Sequence, residues 1–542
     1  MTDLLSILFE TSQSNPTVVF ATAAVVIVGT LALLRSLLSS PSRRSQVPSH
    51  TYSSWVPFLG HGPAFFKRPF GFLLELKRQY ANTNCWINFF GKPCLVIFRS
   101  DDFKQIMKQS EKSASMLKPI DDLVGFAFPQ ENKKDFPTKE LEQRISFARG
   151  QGVSGAPIFM HSIRKEKMLC WLKPIRSLLE HKFISLEESG TVDLFDWCRT
   201  LISSVTVGVL LGERVLEDHA LMETFLEIYY DGDPEFAFKG PLKAAGSMLE
   251  VGLFGERRVF QRQRDLTDPY IQEEIQNVLA GKPEPNDGSV LSSMVRYWYN
   301  RLDKDEAALR SATRRIGNDL FMFTFAAFTN SYAAAAWVMY HILHNTNKTG
   351  DNIQPELDKV HQSMEQDNPE FECPGLEKII LEIARLYSPG AFLREIMKPW
   401  TMPSTKEVVP KGSIVMLSVG CIYRDSQFFE NPLEFDPSRF EPGRDEEKKN
   451  AGIFAGFGTG THPCAGRKFA IWEIAIFASE ALRYFDFEIL TPPPDHINTV
   501  KDIIINAEDH PRLDPSQFGF LWRPIDPVMV KYKRKSSIAS NK

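Results

Sequence analysis

One of the chain's seven thiols stands where chemistry could be done with it. It is Cys464, in the stretch Phe457 to Gly466, FGTGTHPCAG. Glycines bend the chain ahead of it, a proline precedes it, and a helix-like run, RKFAIWEIAIFASEAL, follows. A disulfide, a zinc ligand, a nucleophile, a haem ligand or a plain turn could each place a cysteine there. The cysteines are scattered and no two form a Cys-x-x-Cys pair, which argues against a disulfide framework and a structural zinc site. As a second zinc ligand the loop offers only His462, and as a base for a catalytic thiol His462 has only its sequence proximity. A turn explains the glycines but not the thiol. A haem thiolate explains all of it. Backbone N–H groups at a helix start stabilise an ionised sulfur, and glycine lets backbone approach a flat macrocycle. Thiolate ligation pushes electron density onto the iron and favours O–O cleavage.

The rest of the chain must fold around that loop. At 542 residues, with 43% hydrophobic content, it can build a large core, and a net charge of -4 gives no reason to expect a nucleic-acid partner. An odd cysteine count leaves a free thiol, as in a reducing compartment. Near the N-terminus, Thr17 to Leu34 holds an uncharged apolar run, long enough as a helix to cross a bilayer core of ~30 Å. It exceeds the apolar part of a signal peptide, and Asp3 and Glu10 precede it where Lys or Arg would be needed. Arg35, Arg43 and Arg44 follow it, which puts the body on the cytoplasmic side. The expected organisation is a lumenal N-terminus (1–16), an anchor (17–38), a Pro/Ser/Arg linker (39–54), one catalytic body (55–533) and a disordered tail (534–542). On this topology the sequon at Asn347 stays unused.

Within the body, CWINFFGKPCLVIF predicts a hairpin about Gly91–Lys92, residues from Asp101 to Asn345 are mainly helical, and VVPKGSIVML predicts strand–turn–strand. A second apolar run, Leu320 to Tyr340, is also long enough to span a membrane. Thr329, Asn330 and Ser331 at its middle favour a buried central helix whose polar triplet faces something that needs it.

FGTGTHPCAG resembles the cysteine-ligand loop of the cytochrome P450 haem-thiolate monooxygenases: Phe, two residues, Gly, x, Arg or His, x, Cys, x, Gly. Three further stretches stand upstream of it in that family's order. EIAR (Glu382 to Arg385) resembles its Glu-x-x-Arg helix motif, FDPSRF (Phe435 to Phe440) its arginine-bearing segment, and VPKGSIV the strand turn between them. The resemblance covers roughly Trp55 to Lys533, most tightly from Leu320 onwards. It implies a mainly α fold with small β-sheets and a long central helix over a haem b, preceded by one transmembrane helix. Cys464 would be the axial ligand, Phe457 would pack near its sulfur, and Gly466 would join the haem-binding residues. His462 and Arg394, in FLREI, would contact the propionates. Glu382, Arg385 and Arg439 would form a structural lock behind the haem. The family's Trp/Arg haem contact is not matched: Trp171 and Arg176 have the wrong spacing, with Pro174 between them, and are not assigned.

The central helix departs from the family. Where most members carry an acid followed by threonine, this chain has Thr329 and Asn330. Neither titrates near neutral pH, although Asn both donates and accepts hydrogen bonds. Asn at that place resembles prostacyclin synthase and the bile-acid sterol hydroxylases. Thr329 and Asn330 are the candidate catalytic pair, and Phe325, Ala326 and Phe328 candidate pocket wall. The resemblance implies a monooxygenase of the endoplasmic reticulum membrane, fed with electrons from NADPH by a reductase. A bulky lipophilic terpenoid, meroterpenoid or sterol-like substrate is expected, in the style of fungal natural-product enzymes. The alternative is a peroxide isomerase or dehydratase that needs no reductase.

Overall fold

A computed structural model describes residues 60–80, 83–116, 118–119, 163, 165–212, 222–227, 257–285, 289–344, 351–366, 371–388, 390–454, 456–458, 463–490, 521–524 and 526–536. The expected anchor and linker, the sequon at Asn347, His462, and residues 537–542 of the expected tail lie outside these residues; Arg534, the first residue of that tail, ends the strand Met529–Arg534 and donates to Leu186 O at 2.7 Å. The helices that frame the site are α1 (Lys165–Ser185), α2 (Leu194–Leu211), α3 (Arg258–Leu279), α4 (Thr313–His344), α5 (Asp351–Met364), α6 (Pro374–Leu386) and α7 (Arg467–Tyr484).

Helix α4 contains the whole apolar run Leu320 to Tyr340 and is the central helix, packed on by α2, α3, α6 and α7. A helix that is apolar around its circumference must be covered on all sides, and the buried run Ala333–Ala336 lets its neighbours approach closely. Helix α2 is likewise long and apolar enough to cross a membrane, yet 83% of it is buried inside the protein. It is a core helix. Asp193 caps it by accepting from Phe195 N at 3.0 Å.

Strands β1 (Cys85–Phe89) and β2 (Lys92–Ile97) form the expected hairpin. Its turn residues are Phe90 and Gly91, at φ 50° and 78°. Two left-handed residues in a two-residue loop match the twist of the strands, and Asn88 Oδ1 steadies the turn by accepting from Gly91 N at 2.8 Å. The remaining strands are β3 (Ala114–Ser115), β4 (Ser189–Asp193), β5 (Phe392–Ile396), β6 (Trp400–Thr401), β7 (Val408–Val409), β8 (Ile414–Leu417), β9 (Phe485–Ile489) and β10 (Met529–Arg534). They make sheets of order β1-β2-β8-β5-β3, β4-β10-β9 and β6-β7.

The run VVPKGSIVML therefore does not fold back on itself. Strand β7 pairs with β6, while β8 runs parallel to β2 and antiparallel to β5. Gly412, at φ 85°, turns the chain between them and donates its N–H to Ile396 O at 2.7 Å, which steers β8 into the large sheet. All four β8 residues are buried, as expected of a strand covered on both faces.

Trp171 and Arg176 have structural partners on α1. The Trp171 ring meets Phe469 edge-on at 5.4 Å. Arg176 pairs with Glu365 at 2.6 Å and with the buried Glu480 of α7 at 3.2 Å, while His361 of α5 lies 2.8 Å from the same carboxylate.

Candidate active site

Cys464 sits at the mouth of α7, two residues before Gly466 caps the helix and three before Arg467 opens it. The loop is closed by Cys464 N donating to Phe457 O at 2.6 Å. Gly458, at φ 73°, adopts a conformation that side chains disfavour. Gly456 is wedged so tightly that a Cβ there would lie 2.8 Å from the Phe454 ring and 3.2 Å from Ala384 of α6. Among the described residues, an added Cβ at Gly466 would meet only Cys464 Sγ, at 4.0 Å. The glycine thus leaves one flank of the sulfur bare. Cys464 reaches the surface, but the protein crowded around the sulfur still withholds water and raises the thiol pKa. The backbone N–H groups of Gly466 and Arg467, then the Arg467 charge, oppose that and favour thiolate.

Arg467 is itself fixed, 2.7 Å from Glu377 of α6, with its guanidinium 5.3 Å from the Phe457 ring. The ligand loop, Phe457 and α6 are thereby tied together.

Helix α6 carries the densest polar cluster. Glu382, Arg385 and Arg439 are all fully buried. Arg385 meets Glu382 through two parallel bonds, Nε to Oε2 at 2.7 Å and Nη2 to Oε1 at 2.8 Å, the strongest geometry such a pair has. Arg439 Nε reaches the same carboxylate at 3.1 Å, and Asp436 N donates to it at 2.9 Å. The other guanidinium hydrogens go to backbone carbonyls of the following segment and, from Arg439 Nη1, also to Glu446 Oε2 at 3.5 Å. Arg385 bonds Tyr423 O (2.8 Å), Pro432 O (2.6 Å) and Glu434 O (3.1 Å); Arg439 bonds Glu430 O and Asn431 O (2.7 Å). The structure brings these three residues together.

Arg394, on β5, is 2% exposed, and among the described residues its Nε and Nη1 find no hydrogen-bond partner. The nearest charge is Glu111 Oε1, 3.8 Å from Nη1. A buried guanidinium with spare donors is costly unless an anion completes it. That suits a haem propionate. With a sulfur bare on one flank, these residues fit the group.

Between Arg315 and Ile342 the central helix is buried everywhere except at Met322, Ala326, Ala327 and Asn330. Positions 322, 326 and 330 lie four apart, so they form one stripe along an otherwise covered helix. Ala326 is on it. Phe325 and Phe328 are packed instead, Phe325 stacked on Phe321 at 6.1 Å and Phe328 against Tyr332 at 5.7 Å. Thr329 is buried and donates its hydroxyl hydrogen to Phe325 O at 2.8 Å. Asn330 Oδ1 accepts from Leu521 N at 3.2 Å. Sequence reasoning passed over Met322, Leu521 and Glu473 of α7. Only Glu473, a carboxylate in an apolar helical run, left a signal there.

The family model of cytochrome P450 matches residues 51–510. The chain belongs to that family. This cytochrome P450 is a haem monooxygenase, an oxidoreductase whose cofactor is haem b on a cysteine thiolate, with NADPH electrons supplied through a reductase. It is similar to mouse "Cytochrome P450 7B1", 25% identical over 93% of this chain and 94% of that protein. The mouse 24-hydroxycholesterol 7-alpha-hydroxylase is 23% identical over 88% and 93%. The obtusifoliol 14-alpha demethylase of Sorghum bicolor is 26% identical over 71% and 72%. Among solved structures, that titled "Retinoic acid bound cyanobacterial CYP120A1" shares the fold, with a TM-score of 0.60 and 17% identity, covering 91% of this chain and 100% of that one.

Proposed function

We propose that this cytochrome P450 is a membrane-bound monooxygenase that inserts one oxygen atom from O2 into a bulky lipophilic substrate of terpenoid, meroterpenoid or sterol-like class, in secondary-metabolite biosynthesis. Its anchor is the run Thr17–Leu34, which holds a cytosolic body (55–533) on the endoplasmic reticulum membrane, where an NADPH-dependent reductase meets it. The observation that carries the reading is the closed loop at the start of α7, which presents Cys464 beside the bare flank of Gly466.

When bound, the haem supplies the oxidising chemistry. The chain's own residues do the rest. Cys464 would hold the haem iron through its sulfur, and the backbone N–H groups of Gly466 and Arg467 favour the thiolate against the burial that raises its pKa. Phe457, held under Arg467, shields one side of it. Arg394, with His462, takes the propionates. Glu382, Arg385 and Arg439 fix α6 and the coil that support the loop. Thr329 and Asn330 lie on the helix that runs along the substrate, Ala326 lines the wall directly, and Phe325 and Phe328 back it.

The sterol class draws support from relatives whose names include a hydroxycholesterol hydroxylase and sterol demethylases. Those names also leave the peroxide-isomerase alternative unfavoured. The secondary-metabolic setting rests on the resemblance to fungal natural-product enzymes. To test the function, candidate sterols and terpenoids are incubated with NADPH plus reductase, or with hydroperoxide analogues alone. A hydroxylated product in the first arm is expected, and turnover confined to the second would overturn the proposal. The carbon-monoxide difference band of the family is expected in the wild type and absent in Cys464→Ala.

A further inference from the structure

The stripe on the central helix and the far end of the chain meet at one residue. Asn330 Oδ1 accepts from Leu521 N at 3.2 Å. A backbone N–H can only donate, so this contact decides which way the amide points: oxygen to Leu521, NH2 away from it. Leu521 is held in turn by its neighbours. Trp522 accepts at its carbonyl from Trp337 Nε1 (2.8 Å), donates its N–H to Tyr387 O (2.9 Å), and packs its ring on Phe70 at 5.0 Å. Arg523 Nη1 donates to the Tyr332 hydroxyl. Residues 521 to 523 are therefore strapped to the central helix at Asn330, Tyr332 and Trp337.

A proton relay has to accept a hydrogen as well as give one. An amide neither takes up nor releases a proton near neutral pH, and Leu521 already holds the oxygen of Asn330, so the group that Asn330 turns outward is its NH2, from which no described residue takes a hydrogen bond. Asn330 is half-buried and shares the stripe with Met322 and Ala326. Thr329 cannot make good the loss as a donor, since its hydroxyl hydrogen already goes to Phe325 O.

We propose that Asn330 is a positioning and specificity residue rather than a relay: aimed by Leu521 N–H, it donates to an acceptor oxygen on the substrate. The substrate class is then narrower than "lipophilic", being a molecule that carries a hydroxyl, ether or carbonyl oxygen close to the carbon that is oxidised. This rests on the reading of Cys464 as haem ligand and of the stripe as the wall facing substrate.

The test uses two isosteric azoles on the full-length holoenzyme, 4-(2-methoxyphenyl)imidazole and 4-(2-ethylphenyl)imidazole. The imidazole nitrogen anchors each at the iron, and the methoxy oxygen accepts hydrogen bonds but cannot donate. Dissociation constants are read from the Soret shift. The wild type is expected to prefer the methoxy compound by about tenfold, and both Asn330→Asp and Asn330→Leu to lose that preference. Hydrogen exchange of the Leu521 amide separates aiming from donating. The aspartate still accepts from Leu521 and should keep the amide protected, whereas the leucine should speed its exchange by about tenfold. Equal wild-type affinities, a preference surviving in Asn330→Asp, or unchanged exchange in Asn330→Leu would each overturn the proposal. Absence of any Soret shift with either azole would bring down the haem reading itself, and this inference with it, so the two failures are told apart.

Discussion

Glu473 shows how much one buried carboxyl can reveal. It is fully buried on α7, and its Oε1 lies 2.8 Å from Thr206 Oγ1, which itself lies 2.9 Å from Ile202 O. Thr206 has a single hydroxyl hydrogen. If that goes to the Ile202 carbonyl, the bond to Glu473 needs a hydrogen from the carboxyl, which must then be protonated. Burial pushes its pKa from 4.5 up to about 8, with the hydroxyls of Thr206 and Ser331 opposing. The folded chain thus holds a proton that the unfolded chain releases above the ordinary carboxyl range. Stability should be full below about pH 4.5 and fall as pH rises toward 8, at about 1.4 kcal/mol per pH unit. Glu473→Gln keeps the shape and the donor, so its melting temperature should fall less than the wild type's between pH 5.5 and 8. Identical pH slopes for the two proteins would refute the protonated carboxyl. Arg394 gives the opposite kind of prediction. Its burial with two unpartnered nitrogens should make Arg394→Leu no less stable as apoprotein. Haem transfer to apomyoglobin should nevertheless run about tenfold faster from the variant, because an ionic hydrogen bond is lost. Arg394 was legible in the sequence only through its neighbours in FLREI; nothing local announces a buried cation short of partners.

Among the elements, the lock on α6 does most to hold the ligand loop. Arg385 and Arg439 bind five backbone carbonyls of the segment from Tyr423 to Glu434. Tyr423 ends a short helix, and the turns that follow it to Glu434 need such partners to bury their polar groups. Replacing Glu382 by alanine takes from buried Arg385 its carboxylate partner and leaves Arg439 only the longer pair to Glu446 at 3.5 Å, and should cost about 3–5 kcal/mol. Denaturant unfolding of holoenzyme would check that, and a loss below 1 kcal/mol would show the cluster to be solvated. Arg439→Lys should cost nearly as much, since a lysine keeps the charge but cannot fork to several acceptors. Spacing in the sequence announces the Glu382–Arg385 pair, three apart on one helix. It does not announce Arg439, which joins from outside the helix. Likewise the hairpin β1–β2 is legible because its two strands adjoin in the chain. The company kept by β7 and β8 is not, because their partners lie in distant segments.

For the molecule as a whole, the sequence delivers the fold class and the central helix, because a run that is apolar on every face has few other places to go. It says little about which residues on that helix are left uncovered. That depends on how four other helices and the 521–523 strap close around it, and periodicity does not carry that information. Two expectations concern the chain's setting. Removing residues 1–54 should move the protein from the membrane pellet to the supernatant while leaving its carbon-monoxide band intact. A truncated chain that still sediments with membranes would show a second attachment. Endoglycosidase treatment should leave the mass unchanged, as it must if Asn347 stays on the cytosolic side.

The lock also sets an order of events during synthesis. Glu382 and Arg385 leave the ribosome three residues apart and can pair as soon as α6 coils, whereas Arg439 reaches the same carboxylate across 57 residues of sequence. Until it arrives, the nascent chain holds a one-to-one ion pair in place of the finished cluster, and the carbonyls from Tyr423 to Glu434 emerge with only Arg385 waiting for them. Cys464 is translated later still. It follows Arg439 by only 25 residues, so the last member of the brace and the sulfur it supports leave the ribosome almost together, long after the Glu382–Arg385 pair.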